Sequence, residues 1–98
     1  MHTQYKKPKL EALASSGVGA EDYPAGIVER FTKVLDILDA AKEEKDLYGL
    51  NGLRYHLLQG KRKGESAIRL NGQWRLTLIV HRDQDGEFIE LIDIEDYH

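Results

Sequence analysis

The chain has 98 residues, of which 41% are hydrophobic, and its formal net charge is −3. This length leaves room for a single domain, 1–98, and this hydrophobic content excludes a disordered chain. The absence of cysteine excludes disulfides, thiolate metal sites and a cysteine nucleophile, and no apolar run reaches the roughly 18 residues of a membrane span, so we expect a cytoplasmic protein without membrane contacts.

The first half of the chain predicts a short edge strand and two helices. The strand is predicted at residues 3–6. Pro8 suits a first helical position because its missing N–H needs no partner there, and Gly17 supplies the left-handed stop of this first helix. Apolar residues then recur at helical spacing over residues 24–43. They predict a second, amphipathic helix whose apolar face packs against a sheet.

The second half predicts an antiparallel meander of about four strands. Apolar and polar residues alternate over residues 53–57, 66–70 and 74–81, and residues 88–94 are apolar in part on both faces. Asn71 and Gly72 tolerate positive φ and predict a type I′ hairpin turn. The predicted fold class is α+β, with two N-terminal helices packed on one face of a mainly antiparallel sheet.

Alternation also separates the two faces of this sheet. If Trp74 faces the helices, Arg75 projects from the opposite face. The same alternation sets His56 apart from Tyr55 and Leu57, whose side chains we expect on the helix side. A face that carries histidine and arginine beside a basic loop is a surface along which a nucleic-acid backbone can lie.

Charge is divided unevenly along the chain. Residues 54–82 hold seven basic side chains and one acid, a net +6, whereas residues 83–98 hold seven acids and no Lys or Arg. The basic segment contains the loop 60–64, Gly-Lys-Arg-Lys-Gly. A concentration of positive charge of this kind is typical of a surface that binds a polyanion.

These segments contain the groups that metal-free RNA cleavage requires. A base removes the 2′-hydroxyl proton, cations stabilise the charge that grows on the phosphate, and an acid protonates the leaving 5′-oxygen. Histidine suits either proton role, since its reference pKa of about 6.5 lies near neutral pH. The candidates for proton transfer are His56 and residues 95–98, and those for phosphate binding are Lys61, Arg62, Lys63 and Arg75.

Each candidate also has a purely structural interpretation when it is taken singly. A histidine on a strand is more often structural, Arg75 can be a salt-bridge arginine, and the 61–63 run can be a solvated turn. A metal site built from His56, Asp96 and His98 is a further alternative, but no clustered ligand spacing supports it. We therefore expect neither a metal nor a cofactor.

Four motifs together carry a family resemblance. They are Y-H-L-L-Q-G-K-R-K-G at 55–64, S-A-I-R-L-N at 66–71, Q-W-R-L at 73–76 and E-D-Y-H at 95–98. They resemble the HigB toxins of the RelE/ParE superfamily of bacterial toxin–antitoxin systems, whose pattern is roughly L-H-P-L-K-G-D-R-x-G, then S-I-R-x-x-x-x-W-R-I, then a terminal D-Y-H. The resemblance covers nearly the whole chain.

This resemblance implies a ribosome-dependent endoribonuclease that cleaves mRNA in the A site by metal-independent general acid–base catalysis. The positions that match the catalytic residues are His56, Asp96, Tyr97 and His98. Arg62 and Arg75 match phosphate contacts. The implied partners are the ribosome, mRNA and a HigA-like helix-turn-helix antitoxin, with operator DNA contacted only through that antitoxin.

The sequence departs from the family pattern at several positions. Leu57 replaces a proline, Gln59 replaces a frequent lysine, and Lys61 replaces an aspartate. Because position 59 holds no cation, its phosphate-binding role would fall to Lys61 or Lys63. The alternative functions are a non-enzymatic, gyrase-directed toxin of the same fold and a catalytically inactive RNA-binding module. The gyrase-directed branch generally lacks a terminal D-Y-H, which favours the nuclease.

Overall fold

The computed structural model describes residues 1–96, apart from the side chain of Asn51. Within these residues the elements are β1 (His2–Tyr5), α1 (Pro8–Ser16), α2 (Ile27–Ala40), α3 (Lys45–Tyr48), β2 (His56–Leu57), β3 (Ser66–Arg69), β4 (Trp74–Asp83) and β5 (Gly86–Asp96). The strand order is β1-β5-β4-β3-β2, with β1 parallel to β5 and the other pairs antiparallel. The predicted α+β class and the N-terminal edge strand are confirmed. None of the helices in this part of the chain is both long and apolar enough to cross a membrane.

The hydrophobic core lies between the helices and one face of the sheet. Helix α2 contributes a stripe at spacings of three and four residues, Ile27, Phe31, Val34 and Leu38. The strands contribute the fully buried side chains Ile68, Leu76, Leu78, Ile89 and Leu91. The predicted packing of an amphipathic helix on a sheet is therefore confirmed.

A glycine sets one end of each of the first two helices. Helix α1 begins at Pro8 and is followed by Gly17 at φ 74°, as predicted. Helix α2 is shorter than predicted, because Gly26 precedes it at φ 87° and a left-handed backbone cannot continue a right-handed helix backwards. At its other end Ala41 is extended, so the chain leaves the helix before the predicted limit at residue 43.

The first strand of the predicted meander is largely absent. Residues 51–53 form a 3-10 turn instead, and Arg54 takes a left-handed backbone with φ 49°. Two residues, His56 and Leu57, remain as the edge strand β2. Leu57 is 53% exposed at this edge, but its partner Ser66 pairs with the buried Leu78, so the register places Leu57 on the helix side with Tyr55, as expected. Regular alternation begins only after the left-handed residue.

The β3–β4 hairpin is present, but its turn is not of type I′. Neither Asn71 nor Gly72 has the positive φ that this turn requires. Instead, the side-chain oxygen of Asn71 accepts hydrogen bonds from the backbone N–H groups of Gln73 and Trp74, at 2.8 and 2.7 Å. The asparagine side chain thus replaces a backbone carbonyl in holding the turn.

A β-bulge in β5 explains why that strand is apolar on both faces. The register shifts between Thr77 and Leu78, whose partners skip Ile92. As a result, Ile94 and Leu91 both join the core although three positions separate them. The bulge therefore decides which residues at the end of β5 face away from the helices.

The predicted faces of β4 are confirmed. Leu76 and Leu78 are fully buried in the core. Trp74 is half-buried against the core and lies edge-on to Tyr23, with ring centroids 5.9 Å apart. Arg75 alternates with these residues and projects from the face turned away from the helices.

We predict that Phe31→Ala lowers the free energy of unfolding by about 3–5 kcal/mol, because it leaves a cavity where a fully buried ring packed. The control is Val18→Ala: Val18 is 64% exposed, so its truncation should change the value by about 0.5 kcal/mol or less. Urea unfolding followed by Trp74 fluorescence measures both. Equal losses in the two variants would contradict this assignment of the core.

Candidate functional site

A row of cross-strand partners crosses the sheet on the face turned away from the helices. His56 on β2 pairs with Ala67 on β3, Ala67 pairs with Thr77 on β4, and Thr77 pairs with Asp93 on β5. We call the face that carries these four residues the site face, since paired residues project to the same side of a sheet. Ala67 and Thr77 are fully buried there, whereas His56 is exposed.

The basic loop of residues 60–64 folds over the site face. Its Arg62 donates from Nη1 to Oε1 of Glu95 at 2.6 Å and from Nη2 to Oε2 at 2.5 Å. Glu95 belongs to β5, and β3 and β4 lie between β5 and β2. Because neighbouring strands are about 4.8 Å apart, Arg62 reaches Glu95 only if the loop lies across β3 and β4. This cover accounts for the burial of Ala67 and Thr77.

Glu95 is the centre of a charged cluster on this face. Besides the Arg62 hydrogen bonds, it accepts one from Oγ1 of Thr77 at 2.9 Å and lies 3.5 Å from Nη2 of Arg75. Glu65 also accepts from Nη2 of Arg62, at 2.7 Å. The four charged side chains are 19–34% exposed, so water screens them only in part.

The contacts within the cluster shift the pKa values of Glu95 and Arg62. Hydrogen bonds from Arg62 lower the pKa of Glu95 from its usual 4.5 to about 2, against the opposing effect of burial. Hydrogen bonds to Glu95 and Glu65 raise the pKa of Arg62. Glu95 is therefore a carboxylate at neutral pH.

The imidazole of His56 is held in one tautomer. Its Nδ1 lies 2.8 Å from the backbone oxygen of Arg54. A carbonyl oxygen only accepts hydrogen bonds, so Nδ1 carries the proton and Nε2 carries the lone pair in the neutral ring. The left-handed backbone of Arg54 aims this carbonyl. His56 is thus an exposed side chain with its basic nitrogen directed away from the bond that orients it.

Lys61 and Lys63 flank Arg62 at the tip of the basic loop, and both are exposed. Gly60 and Gly64 bracket them with φ of 67° and 101°, conformations that glycine adopts at little cost. Neither lysine forms an ion pair with a carboxylate in the described part of the chain. These two side chains therefore supply positive charge that the described residues do not neutralise.

The structure brings most of the predicted site residues together. Those on or above the site face are His56, Lys61, Arg62, Lys63 and Arg75. Asp96 instead pairs with Trp74, toward the helix side at the end of β5, and accepts a hydrogen bond from Nε2 of Gln73 at 2.8 Å. Tyr97 and His98 lie outside the described residues. Among residues 1–96, no group of three His, Asp or Glu side chains is arranged to hold a metal ion.

The sequence alone assigns no role to Glu65 or Thr77, and it places Glu95 only among the candidates for proton transfer. Alternation along β4 gives one signal, because it places Thr77 on the same face as Arg75. The contact between Arg62 and Glu95 spans 33 positions in sequence, and no local pattern indicates such a contact. It becomes visible only when the loop is placed over the sheet.

The fold is that of known bacterial toxins. A YoeB/ParE toxin from Agrobacterium tumefaciens superposes with a TM-score of 0.64 at 14% identity, over 100% of both chains. A YoeB–YefM complex from Staphylococcus aureus matches with a TM-score of 0.58 at 17% identity, over 100% of this chain and 97% of that one. The class is therefore that of α+β proteins with the RelE-like toxin fold.

Sequence similarity narrows the class to a family. The model for the HigB-like toxins, described as RelE-like toxin of type II toxin–antitoxin system HigB, matches residues 4–98. Toxin HigB-1 of Vibrio cholerae serotype O1 is 36% identical over 76 residues, which are 78% of this chain and 80% of that protein. The chain belongs to the HigB-like toxins of type II toxin–antitoxin systems, and the resemblance of its motifs is confirmed.

The lowered pKa of Glu95 predicts a specific loss of stability in acid. The unfolded carboxyl group binds a proton near pH 4.5, whereas the folded group resists protonation until about pH 2. Its contribution to stability is therefore present above about pH 4.5 and is lost as the pH falls from there toward 2. In Glu95→Gln, this part of the dependence of the free energy of unfolding on pH should disappear.

Urea unfolding at a series of pH values between about 5 and 2 measures this slope. Asp36→Asn is the control, because Asp36 is exposed and forms no ion pair within residues 1–96. The control should keep the slope of the unchanged protein. An equally steep slope in Glu95→Gln would show that Glu95 is not held as a carboxylate by Arg62.

Proposed function

We propose that this toxin is a ribosome-dependent endoribonuclease that cleaves mRNA in the A site without a metal ion. The observation that carries the proposal is the single tautomer of His56, exposed on the same face as a loop with two unneutralised lysines. Membership of the HigB-like toxins supports it. A chain that only bound RNA would need the lysines but not an oriented imidazole.

The cleavage step requires two proton transfers at one phosphate. The 2′-oxygen loses its proton to a base and attacks phosphorus, while the bond from phosphorus to the 5′-oxygen breaks and an acid protonates that oxygen. Nε2 of His56 performs one of these transfers, since Nδ1 is occupied by the Arg54 carbonyl. We assign the other to the segment of Asp96, Tyr97 and His98, on the strength of its match to the family motif.

Cations stabilise the charge that develops on the phosphate oxygens in this step. Lys61 and Lys63 are exposed at the loop tip, and Arg75 lies in the ladder beside Glu95 on the site face. A phosphate that approaches His56 from solvent therefore meets positive charge from the loop above the sheet. This arrangement supports backbone contacts, which position RNA but do not select its sequence.

The proposed partners follow from the toxin class. We propose a HigA-like helix-turn-helix antitoxin that holds the chain inactive, the ribosome with its mRNA as the target, and operator DNA reached only through the antitoxin. The structural match to a chain of a YoeB–YefM complex supports a protein partner for this fold. Expression of the chain alone should therefore arrest growth, and co-expression of its antitoxin should restore it.

His56→Ala is expected to reduce mRNA cleavage on ribosomes by about 10²–10⁴-fold, the usual contribution of one general acid or base. It should also relieve growth arrest. His2→Ala is the control, because His2 is an exposed histidine on β1, at the opposite edge of the sheet from β2. Primer extension on a defined message measures cleavage, and circular dichroism checks that both variants fold.

Full cleavage by a folded His56→Ala variant would contradict the catalytic assignment. If the unchanged protein arrests growth but cleaves no mRNA, the alternative of a non-enzymatic toxin of the same fold would be supported instead. Equal losses in His56→Ala and His2→Ala would point to a general loss of folding rather than to chemistry.

A further inference from the structure

We propose that Glu95 is a positioning residue that fastens the basic loop to the site face through Arg62, so that Lys61 and Lys63 contact the RNA phosphates and Arg62 does not. The RNA part of this inference rests on the proposed function. The fastening itself does not, because it concerns contacts within the protein.

Arg62 has almost no capacity left for a phosphate. A guanidinium group has five N–H donors. Two of them donate to the carboxylate oxygens of Glu95, and two donate to Glu65, from Nη2 at 2.7 Å and from Nε at 3.5 Å. A bidentate phosphate contact needs two parallel N–H groups. Arg62 can offer such a pair only by giving up one of the two carboxylates.

The cluster is also electrically neutral. Arg62 and Arg75 carry two positive charges, and Glu65 and Glu95 carry two negative ones within the same set of contacts. A polyanion near the loop is therefore not attracted by the cluster as a whole. At the loop tip the attraction comes from Lys61 and Lys63, which flank Arg62 without carboxylate partners in the described residues, and exposed Arg69 adds positive charge beside Arg75 on the same face.

Within residues 1–96, few other contacts hold the tip of the loop on the sheet. Its base is closed by a hydrogen bond from Leu58 N to Glu65 O at 2.9 Å, and its own backbone bonds are local turns. Gly60 and Gly64 stand at its two ends in left-handed conformations. Without Glu95, the 60–64 segment keeps its base but loses the bond that brings its tip across β3 and β4.

The rate of trypsin cleavage measures how firmly the loop is held, because trypsin cleaves after lysine and arginine and requires a segment that can leave the protein surface. In Glu95→Gln, cleavage within residues 61–63 should become faster by about tenfold or more, as expected for a locally released segment. Circular dichroism should remain unchanged. Asp93→Asn is the matched control, since Asp93 lies on the same strand and face but pairs with Lys7. Its trypsin rate should equal that of the unchanged protein.

A second measurement uses a 2′-O-methyl oligoribonucleotide, which binds but cannot be cut by attack of a 2′-hydroxyl. Replacing both Lys61 and Lys63 by Gln should reduce the slope of log affinity against log salt by about 1.4, or about 0.7 for each phosphate that is no longer neutralised. Arg62→Gln should lower that slope much less than the double lysine variant does, because Arg62 neutralises no phosphate. Glu95→Gln should bind this RNA more weakly, because the released loop no longer presents its lysines at a fixed place.

Three outcomes would overturn the inference. One is an unchanged trypsin rate in Glu95→Gln. Another is tighter RNA binding by Glu95→Gln, which would make Glu95 a competitor of the phosphate for Arg62. The third is a salt slope that falls at least as much in Arg62→Gln as in the double lysine variant. If the protein cuts no mRNA at all, the proposed function fails while the trypsin comparison still decides on the fastening.

Discussion

The antiparallel pairing of β4 with β5 is the constraint on which the rest of this structure depends. It places β1 on one side of the pair and β3 on the other, so both edges of the sheet are built outward from it. The bulge at Ile92 then determines which residues of β5 face the core and which lie on the site face. Ile94 and Leu91 fill the core under the helices, while Asp93 and Glu95 carry charge on the site face.

The pairing of β4 with β5 also brings some acids of the C-terminal segment next to the basic side chains that precede them in sequence. Along the sequence a +6 segment is followed by an acidic tail, but the hairpin folds the two against each other. Arg62 and Arg82 are consequently neutralised by acids of β5, Glu95 and Glu87. In the described part of the +6 segment, the basic side chains that have no carboxylate partner are Arg54, Lys61, Lys63 and Arg69. The folded chain thus offers a polyanion less positive charge than the +6 of the segment suggests.

The energetic character of the Glu95 cluster follows from its partial burial. Ion pairs on an exposed surface contribute little to stability, because water and salt screen them and long side chains lose entropy. A bidentate pair of arginine and carboxylate at 21–34% exposure is better shielded and geometrically restricted. Removing Glu95 would leave two partly buried arginines in the cluster with one carboxylate, Glu65, and unbalanced charge that is partly removed from water is costly. The cluster is therefore suited to fix a glycine-bracketed loop that packing alone would leave loosely held.

Features that depend on near neighbours could be predicted from the sequence. Pro8 and Gly17 mark the first helix, and alternation gives the faces of β4. The turn at Asn71 differs from the predicted type because its side chain, not a left-handed backbone, closes the hairpin. The shortness of β2 depends on the left-handed conformation of Arg54, a residue type that rarely takes it.

For the candidate site too, some residues can be predicted from the sequence and some contacts cannot. His56 and the basic loop can be recognised in the sequence, because residue type and local spacing suffice to mark them. The hydrogen bonds that define the His56 tautomer and the charged cluster require three-dimensional contacts, one of them between Arg62 and a carboxylate in the last strand. Periodicity reports which face a residue takes, but it does not report which distant residue meets it there.

The chemical nature of the cut ends distinguishes attack by the 2′-oxygen from attack by water. Attack by the 2′-oxygen, with proton transfer by His56 and no metal-bound water, leaves a 2′,3′-cyclic phosphate on the upstream fragment and a hydroxyl on the downstream 5′ end. Mass spectrometry of a short defined message, cleaved on ribosomes by the purified protein, identifies both ends. We predict these two products. A 5′-phosphate on the downstream fragment would show that water attacks the phosphate, and it would contradict the mechanism proposed for this toxin.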